Sequence, residues 1–173
     1  MQHNGYGPAD RPADRCAQCG ASQSDGITCR DCFDMMLAFE NENPPAFGSV
    51  HHLTVACYFL QHPAGYADAA LNLWHQAVVD GLDGRATTQE LQRRAGRAFA
   101  GSVRVRDATA VPRPWWPTSW PLTVHDVLTP GETIDAPTYV QRAAAWAESV
   151  RKTLDAAAMR VPTAHDARTR RPG

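Results

Sequence analysis

Four cysteines fall in two closely spaced pairs near the start of the chain, first Cys16 and Cys19, then Cys29 and Cys32. Each Cys-x2-Cys pair can offer two sulfurs from one tight turn, and two such pairs supply the tetrahedral set that zinc prefers. Gly20, directly after the first pair, suits the positive φ that such a turn often requires. The pattern therefore predicts one metal bound by these four cysteines. Zinc is the expected metal, and iron is the alternative at a four-sulfur site.

The predicted cysteine site has a structural character. A zinc ion closed in by four protein ligands lacks the open position that a catalytic zinc keeps for water or substrate. Nine residues separate the two pairs, fewer than in a zinc ribbon, which favours a compact, treble-clef-like knuckle over residues 15–33. The second pair is expected at a helix N-terminus, where free N–H groups stabilise thiolates. The alternative interpretations are a redox-active cysteine pair and four incidental thiols, and neither explains why the Cys-x2-Cys spacing occurs twice.

Histidines form a second candidate set, and four of the seven lie close together in sequence: His51, His52, His62 and His75. His51 and His62 share a helix face, but a rise of ~1.5 Å per residue puts them roughly 16 Å apart, too far for one metal. If two helices fold back around Pro63, His75 comes to lie opposite His51. The alternatives are core histidines with hydrogen bonds and, for His62, a helix C-cap.

A small metal-dependent enzyme is the functional interpretation of the same histidines. His51, His62 and His75 are the catalytic candidates, and a carboxylate would complete a metal site with them. The carboxylates within reach of the predicted fold are Glu40, Glu42 and Asp80. Cys57 lies within a continuous apolar segment and is expected to be a small buried filler rather than a nucleophile.

Helical periodicity predicts the elements that position these side chains. A capping box, Thr87-x2-Glu90, opens one helix, and Asp135 with Pro137 in the following turn opens the last and longest one. The predicted helices cover about residues 29–40, 50–61, 67–80, 87–99, 123–128 and 136–157. The sequence therefore predicts a mainly α fold, a compact bundle of five or six helices with an N-terminal zinc knuckle.

An irregular segment interrupts the helices over residues 100–121. It begins with an alternating stretch, 102–106, typical of a short strand, and continues with four prolines and three tryptophans, Trp115, Trp116 and Trp120. One interpretation is an ordered loop whose rings cover the helical core. The other is an aromatic lid over a site.

The length of 173 residues suits one domain with a small appendage. We expect a disordered N-terminus over 1–14, the knuckle over 15–33, a helical domain over 34–158 and a disordered basic tail over 159–173. No apolar run follows Met1 and no stretch is long enough to span a membrane, so a cytoplasmic location with reduced thiols is predicted.

The formal net charge of −1 argues against nucleic acid as a partner. An arginine cluster that includes Arg93, Arg94 and Arg97 is the one feature in favour of it, and arginines on a solvated helix face are the ordinary explanation. Nucleic-acid binding is therefore the weakest of the functional hypotheses.

Three segments together resemble a known family: Cys16-x2-Cys19-Gly20; the run from His51 to Pro63, His-x-Leu-Thr-Val-x2-Tyr-x2-Gln-His-Pro; and Thr123-Val-x-Asp-Val with a later Trp-Ala-x-Ser-Val. The family consists of small, uncharacterised bacterial proteins and is classed as a domain of unknown function. The resemblance covers roughly residues 16–151 and implies no activity. The family pattern resembles this chain at Cys16, Cys19 and Cys29, whereas a cysteine at the position of Cys32 is less regular in it. The resemblance therefore implies His51 or His62 as an alternative fourth ligand.

Two functions of different classes follow from these observations. The first is a metal-stabilised binding or accessory module that recognises a protein partner. The alternative is a small metal-dependent enzyme acting on a small-molecule substrate, with a histidine-rich site under the tryptophan loop.

Overall fold

A computed structural model describes residues 14–23, 26–97, 100–101, 105–107, 113 and 115–158 of the chain. In these ranges the backbone forms six α-helices and two isolated antiparallel bridges. The helices are α1 (Cys29–Glu42), α2 (Pro44–Gln61), α3 (Asp68–Leu82), α4 (Thr88–Arg97), α5 (Val124–Val127) and α6 (Ala136–Ala158). The predicted mainly α bundle is confirmed.

The junction between α1 and α2 differs from the prediction. The first predicted helix ended near residue 40 and the second began near residue 50, with Pro44 and Pro45 between them. In the structure α1 ends at Glu42, and α2 begins directly at Pro44. Proline has a fixed φ and no N–H group, and both properties are harmless in the first turn of a helix. The two prolines therefore separate the helices and also open α2, which is longer than predicted.

The central helix of the bundle is α2, which packs against α1, α3, α4 and α6. It is apolar on nearly all sides, and Cys57 and Leu60 are fully buried in it. From α6, Tyr139 and Trp146 are also completely buried. Truncating a buried side chain as large as Trp146 to alanine costs about 3–5 kcal/mol. Helix α2 carries His51, and His62 follows its last residue.

The tryptophan-rich loop covers one end of α2. The indole N–H of Trp116 donates to the carbonyl of Leu60 at 2.9 Å, and Trp120 is buried. Trp115 remains about half exposed, at 47%. The described part of the loop therefore agrees with the first interpretation, an ordered loop whose rings cover the helical core.

Several predicted features fall partly or wholly outside the described residues. The predicted disordered ends lie there, apart from Asp14, and so do residues 102–104 of the predicted strand. Of that strand, Arg106 pairs with Tyr66 in an isolated bridge. None of the helices in the described part of the chain is both long enough and apolar enough to cross a bilayer.

Candidate metal centre

Cys16 and Cys19 lie on a short hairpin formed by residues 14–23. The backbone N–H of Cys16 donates to the carbonyl of Ala21 at 2.9 Å, and the N–H of Gly20 donates back to the carbonyl of Cys16 at 2.9 Å. Gly20 has a φ of +77°, a conformation that costs glycine little and other residues more. This turn brings the two sulfurs to within 4.8 Å of each other.

The second cysteine pair lies in the first turn of α1, as predicted. Thr28 caps the helix: its hydroxyl accepts from the N–H of Asp31 at 3.2 Å, and the Asp31 carboxylate accepts from the N–H of Thr28 at 2.9 Å. Cys29 is the first residue of the helix, and Cys32 follows almost one turn later. The capping box therefore fixes where both sulfurs enter the site.

His62 follows the last residue of α2 as its C-cap. Its Nδ1 donates to the carbonyl of Tyr58 at 2.8 Å, which leaves Nε2 with the lone pair. Nε2 lies 3.6 Å from Sγ of Cys16. A second tether runs from Gln18 on the hairpin, whose side-chain oxygen accepts from the N–H of Ala64 at 2.9 Å. The hairpin and the end of α2 are therefore joined at two points.

Four of these side chains converge on one point. The ligand atoms of Cys16, Cys19, Cys29 and His62 all lie within 4.8 Å of one another, and this is the one group of three or more such ligands in the described residues. The sulfurs of Cys19 and Cys29 are 3.5 Å apart. The group could hold a metal ion, with ligands from the hairpin, from α1 and from the end of α2.

Without a metal, the same atoms share protons. Hydrogen bonds from the thiols of Cys19 and Cys29 lower the pKa of Cys16, and the corresponding bond to Cys16 raises the pKa of Cys29. Burial lowers the pKa of His62, but hydrogen bonds to Cys16 and Cys19 outweigh burial and raise it to about 9. A metal that binds here must displace these protons.

Cys32 lies beside this group and has a different partner. Its sulfur is 3.4 Å from Nδ1 of His125, whose Nε2 lies 3.6 Å from Sγ of Cys29. Cys32 is fully buried. Burial, and next the charge of Asp31, raise the pKa of its thiol to about 11. His125 was not among the predicted site residues, because only its residue type, and no spacing, connects it with the cysteines.

His51 is held by a buried carboxylate. Its Nδ1 lies 2.7 Å from Oε2 of Glu40, which is completely buried. The hydroxyls of Tyr139 and Thr54 donate to the other oxygen of Glu40 at 2.6 and 2.8 Å. His75 instead lies 3.9 Å from the carboxylate of Asp155.

His51 and His75, which were predicted to face each other, contact two different carboxylates in the structure, those of Glu40 and Asp155. In the described part of the chain, no group of three or more metal-ligating side chains includes His51 or His75. His62 is the catalytic candidate that the structure brings to the metal centre.

A groove of about 1070 Å³ separates the tryptophan loop from α6. Trp115, Trp116 and Leu122 line it on one side, and Ala145 and Ser149 line it on the other. Its described lining contains no histidine. The candidates His51, His62 and His75, which were expected in a site under this loop, are not among the described residues that line the groove.

Comparison with known proteins places the chain in a family. The model of a family of unknown function, DUF5946, matches residues 14–155, and the chain belongs to this family. The match begins at the first residue of the hairpin and ends in α6, so it includes every side chain of the candidate metal centre. Searches of curated proteins and of solved structures gave no match.

Proposed function

We propose that this protein binds one zinc ion through Cys16, Cys19, Cys29 and His62, and that the metal has a structural role in a binding or accessory module. The observation that carries the proposal is the convergence of these four ligand atoms within 4.8 Å. The ligands come from three separate segments, so the metal connects the hairpin to the helical domain.

The spacing of the ligand atoms supports zinc. Bond lengths of about 2.3 Å to sulfur and about 2.0 Å to nitrogen give a tetrahedron with roughly 3.8 Å between sulfurs and about 3.6 Å between sulfur and nitrogen. The distance from Cys19 to Cys29 is 3.5 Å, and the distance from Cys16 to His62 is 3.6 Å. Three thiolates and one imidazole form a ligand set that structural zinc sites use.

The four ligands also favour a structural over a catalytic role. Together they fill a tetrahedral coordination sphere and leave no position for a water molecule. All four residues are more than 90% buried, since Cys16, Cys19, Cys29 and His62 are 8%, 0%, 3% and 8% exposed. The metal-dependent enzyme, acting on a small molecule, is therefore the less favoured candidate, and a protein partner remains the expectation for the module.

His125 contributes to the same proposal as a neighbour of the ligands. Three thiolates and a neutral histidine leave a zinc site with an excess negative charge. The imidazole of His125 is close enough to Cys29 for an N–H group to donate to the thiolate, at 3.6 Å. Such hydrogen bonds orient ligands and moderate their charge. Cys32, on the other ring nitrogen, fixes the orientation of His125.

Elemental analysis of the purified protein, combined with X-ray absorption at the metal edge, tests the proposal. We expect one zinc per chain with three sulfur neighbours, one nitrogen neighbour and no oxygen neighbour. Four sulfurs would exclude His62 as a ligand. An oxygen neighbour would indicate an open position and would favour the enzyme.

Two matched variants identify the fourth ligand. His62→Ala should reduce the zinc content, whereas Cys32→Ser should retain it, because Cys32 contacts His125 rather than the four-ligand group. Loss of zinc from Cys32→Ser together with full zinc in His62→Ala would assign the site to the four cysteines instead.

A further inference from the structure

A cavity of about 230 Å³ lies among α2, α3 and α4, and none of its lining residues belongs to the metal centre. Its walls are mostly apolar and include Val55, Leu73, Trp74 and Leu91. Drug-sized pockets are typically about 300–1,000 Å³, whereas an apolar cavity of about 150 Å³ admits benzene. The volume therefore suits one aromatic ring with a short substituent.

His51 is one of the residues that line this cavity. Its Nδ1 is held by the carboxylate of Glu40 at 2.7 Å. Glu40 is fully buried and accepts from Tyr139 and Thr54 as well. A carboxylate that takes the Nδ1–H of a histidine leaves Nε2 with the lone pair and fixes the plane of the ring. The network therefore prepares His51 to accept a hydrogen bond.

A second polar atom in the same wall has no partner. Nδ1 of His52 is buried and forms no hydrogen bond with any described residue. Burial is the main cause that lowers the pKa of His52, and its neighbour His51 adds to the effect. Buried polar atoms are almost always paired, so an unpaired one at a cavity suggests a group that binds there.

The charges around the cavity favour a neutral ligand. Among the described residues that line the cavity, Arg94 is the one cationic side chain. Its guanidinium is already paired with Asp80 and with Glu90, each at 2.7 Å. Because two carboxylates face one arginine, an anionic ligand would meet no unpaired positive charge.

We propose that this cavity binds a small, neutral, ring-sized apolar molecule that carries a hydroxyl group, and that the hydroxyl donates to Nε2 of His51. The apolar walls take the ring, while the pair of His51 and Glu40 takes the polar end. The site is independent of the zinc proposal, since the two share no residue.

Ligand-observed NMR titrations of the full chain, purified with its metal, test this site with three probes. Phenol has the ring and the hydroxyl, toluene lacks the hydroxyl, and benzoate carries a charge. We expect phenol to bind roughly three- to tenfold more tightly than toluene, as one hydrogen bond allows, and benzoate to bind more weakly than phenol. Absence of phenol binding, equal affinity for toluene, or tightest binding of benzoate would overturn the proposal.

Matched variants then locate the binding. Ala77 lines the cavity, so Ala77→Leu should fill it and abolish phenol binding. Ala145→Leu makes the same change on α6, in the groove beside the tryptophan loop, and should leave binding intact. Unchanged phenol affinity in Ala77→Leu would place the ligand elsewhere and overturn the assignment.

His51→Asn tests the acceptor. The asparagine amide can still donate to Glu40 from near the position of Nδ1, but the variant lacks Nε2. Phenol should then bind about as weakly as toluene, and the affinity for toluene should not change. An unaltered preference for phenol would show that His51 is not the acceptor. A thermal melt of each variant confirms that it is folded at the titration temperature.

Discussion

Nε2 of His62 lies 3.6 Å from Sγ of Cys16, although 46 residues separate the two side chains in the sequence. A site confined to residues 15–33 would stabilise only a local knuckle. In the proposed site, a ligand from the end of α2 would instead tie the hairpin to the central helix of the bundle. The entropic free-energy cost of closing a loop grows by only about 0.6 kcal/mol each time the loop length doubles. A ligand that is distant in sequence therefore adds little to the cost of forming the site.

Removal of the metal should destabilise the fold. Structural zinc sites contribute about 10–16 kcal/mol of apparent binding free energy in small peptides, comparable with the whole stability of a domain, about 5–15 kcal/mol. We expect a strong chelator to lower the melting temperature by at least 10 °C, or roughly 3 kcal/mol for a chain of this size. Calorimetry with and without the chelator measures the difference.

The matched control for the chelator experiment is Cys19→Ser. This variant lacks one proposed ligand, so its melting temperature should already be low and should respond little to the chelator. Equal melting temperatures of the native protein with and without its metal would contradict a structural role.

One glycine in the hairpin and one after it distinguish the cost of backbone strain from the cost of a close contact. Gly20 and Gly26 both have positive φ values, +77° and +74°. A Cβ at Gly20 would lie 2.9 Å from the carbonyl oxygen of Thr118, whereas a Cβ at Gly26 would meet nothing within 4 Å. Gly26→Ala should cost about 1–2 kcal/mol from the left-handed conformation alone, and Gly20→Ala should cost more. Urea unfolding of both variants measures the difference, and equal losses would show that the contact with Thr118 has no energetic effect.

Tyr139→Phe should destabilise the protein through Glu40. The hydroxyl of Tyr139 donates to this buried carboxylate at 2.6 Å, and its loss leaves a buried charged acceptor with one donor fewer. We expect a loss of about 1–3 kcal/mol in unfolding free energy. Tyr58→Phe is the control, because among the described residues the buried Tyr58 ring has no hydrogen bond from its hydroxyl, and it should cost much less. Similar losses in both variants would contradict the importance of the Glu40 network.

Asp80 should make stability depend on pH in the acid range. Hydrogen bonds from Gln76, and next from Arg94, hold the pKa of Asp80 below its usual value, and Arg85 adds to this. A carboxyl whose pKa is lower in the folded state contributes stability above its unfolded pKa, about 3.9, and loses it as pH falls through the folded value. Asp80→Asn should therefore lower the melting temperature at pH 7, with a difference that shrinks as pH falls below about 4.

Asp155→Asn controls for the general effect of removing a carboxylate. Asp155 is about half exposed on α6, and its contact with His75 is long, at 3.9 Å. Its substitution should change the melting temperature little at any pH. Acid also protonates metal ligands, but this affects each variant and the native protein alike and cancels in the difference. A difference for Asp80→Asn that stays constant down to pH 2 would contradict the assigned cause.

The elements of the fold could be predicted because their signals are local. Asp135 and Pro137 predicted the start of the last helix, and the carboxylate of Asp135 does cap it by accepting from the N–H of Thr138 at 2.7 Å. The beginning of α2 was predicted wrongly because the same proline pair can end one helix or open another. The local sequence does not show whether the prolines end one helix or begin the next.

The partners of the candidate site could be predicted only in part. Cysteine spacing identified the hairpin and the start of α1. The choice between Cys32 and His62 depends on how the end of α2 meets the hairpin, and no local pattern encodes that contact. The same holds for the network around Glu40, which joins residues 99 positions apart, Glu40 and Tyr139. Such contacts are set by the packing of α6 on α1 and α2.

The close approach of Gly20 to Thr118 has a practical consequence. Gly20 of the hairpin lies so close to the loop that carries Trp116 and Trp120 that a shift of the hairpin would change the surroundings of these indoles. The chain thereby carries its own optical reporter. We expect its intrinsic fluorescence to follow metal occupancy in real time, without any added dye.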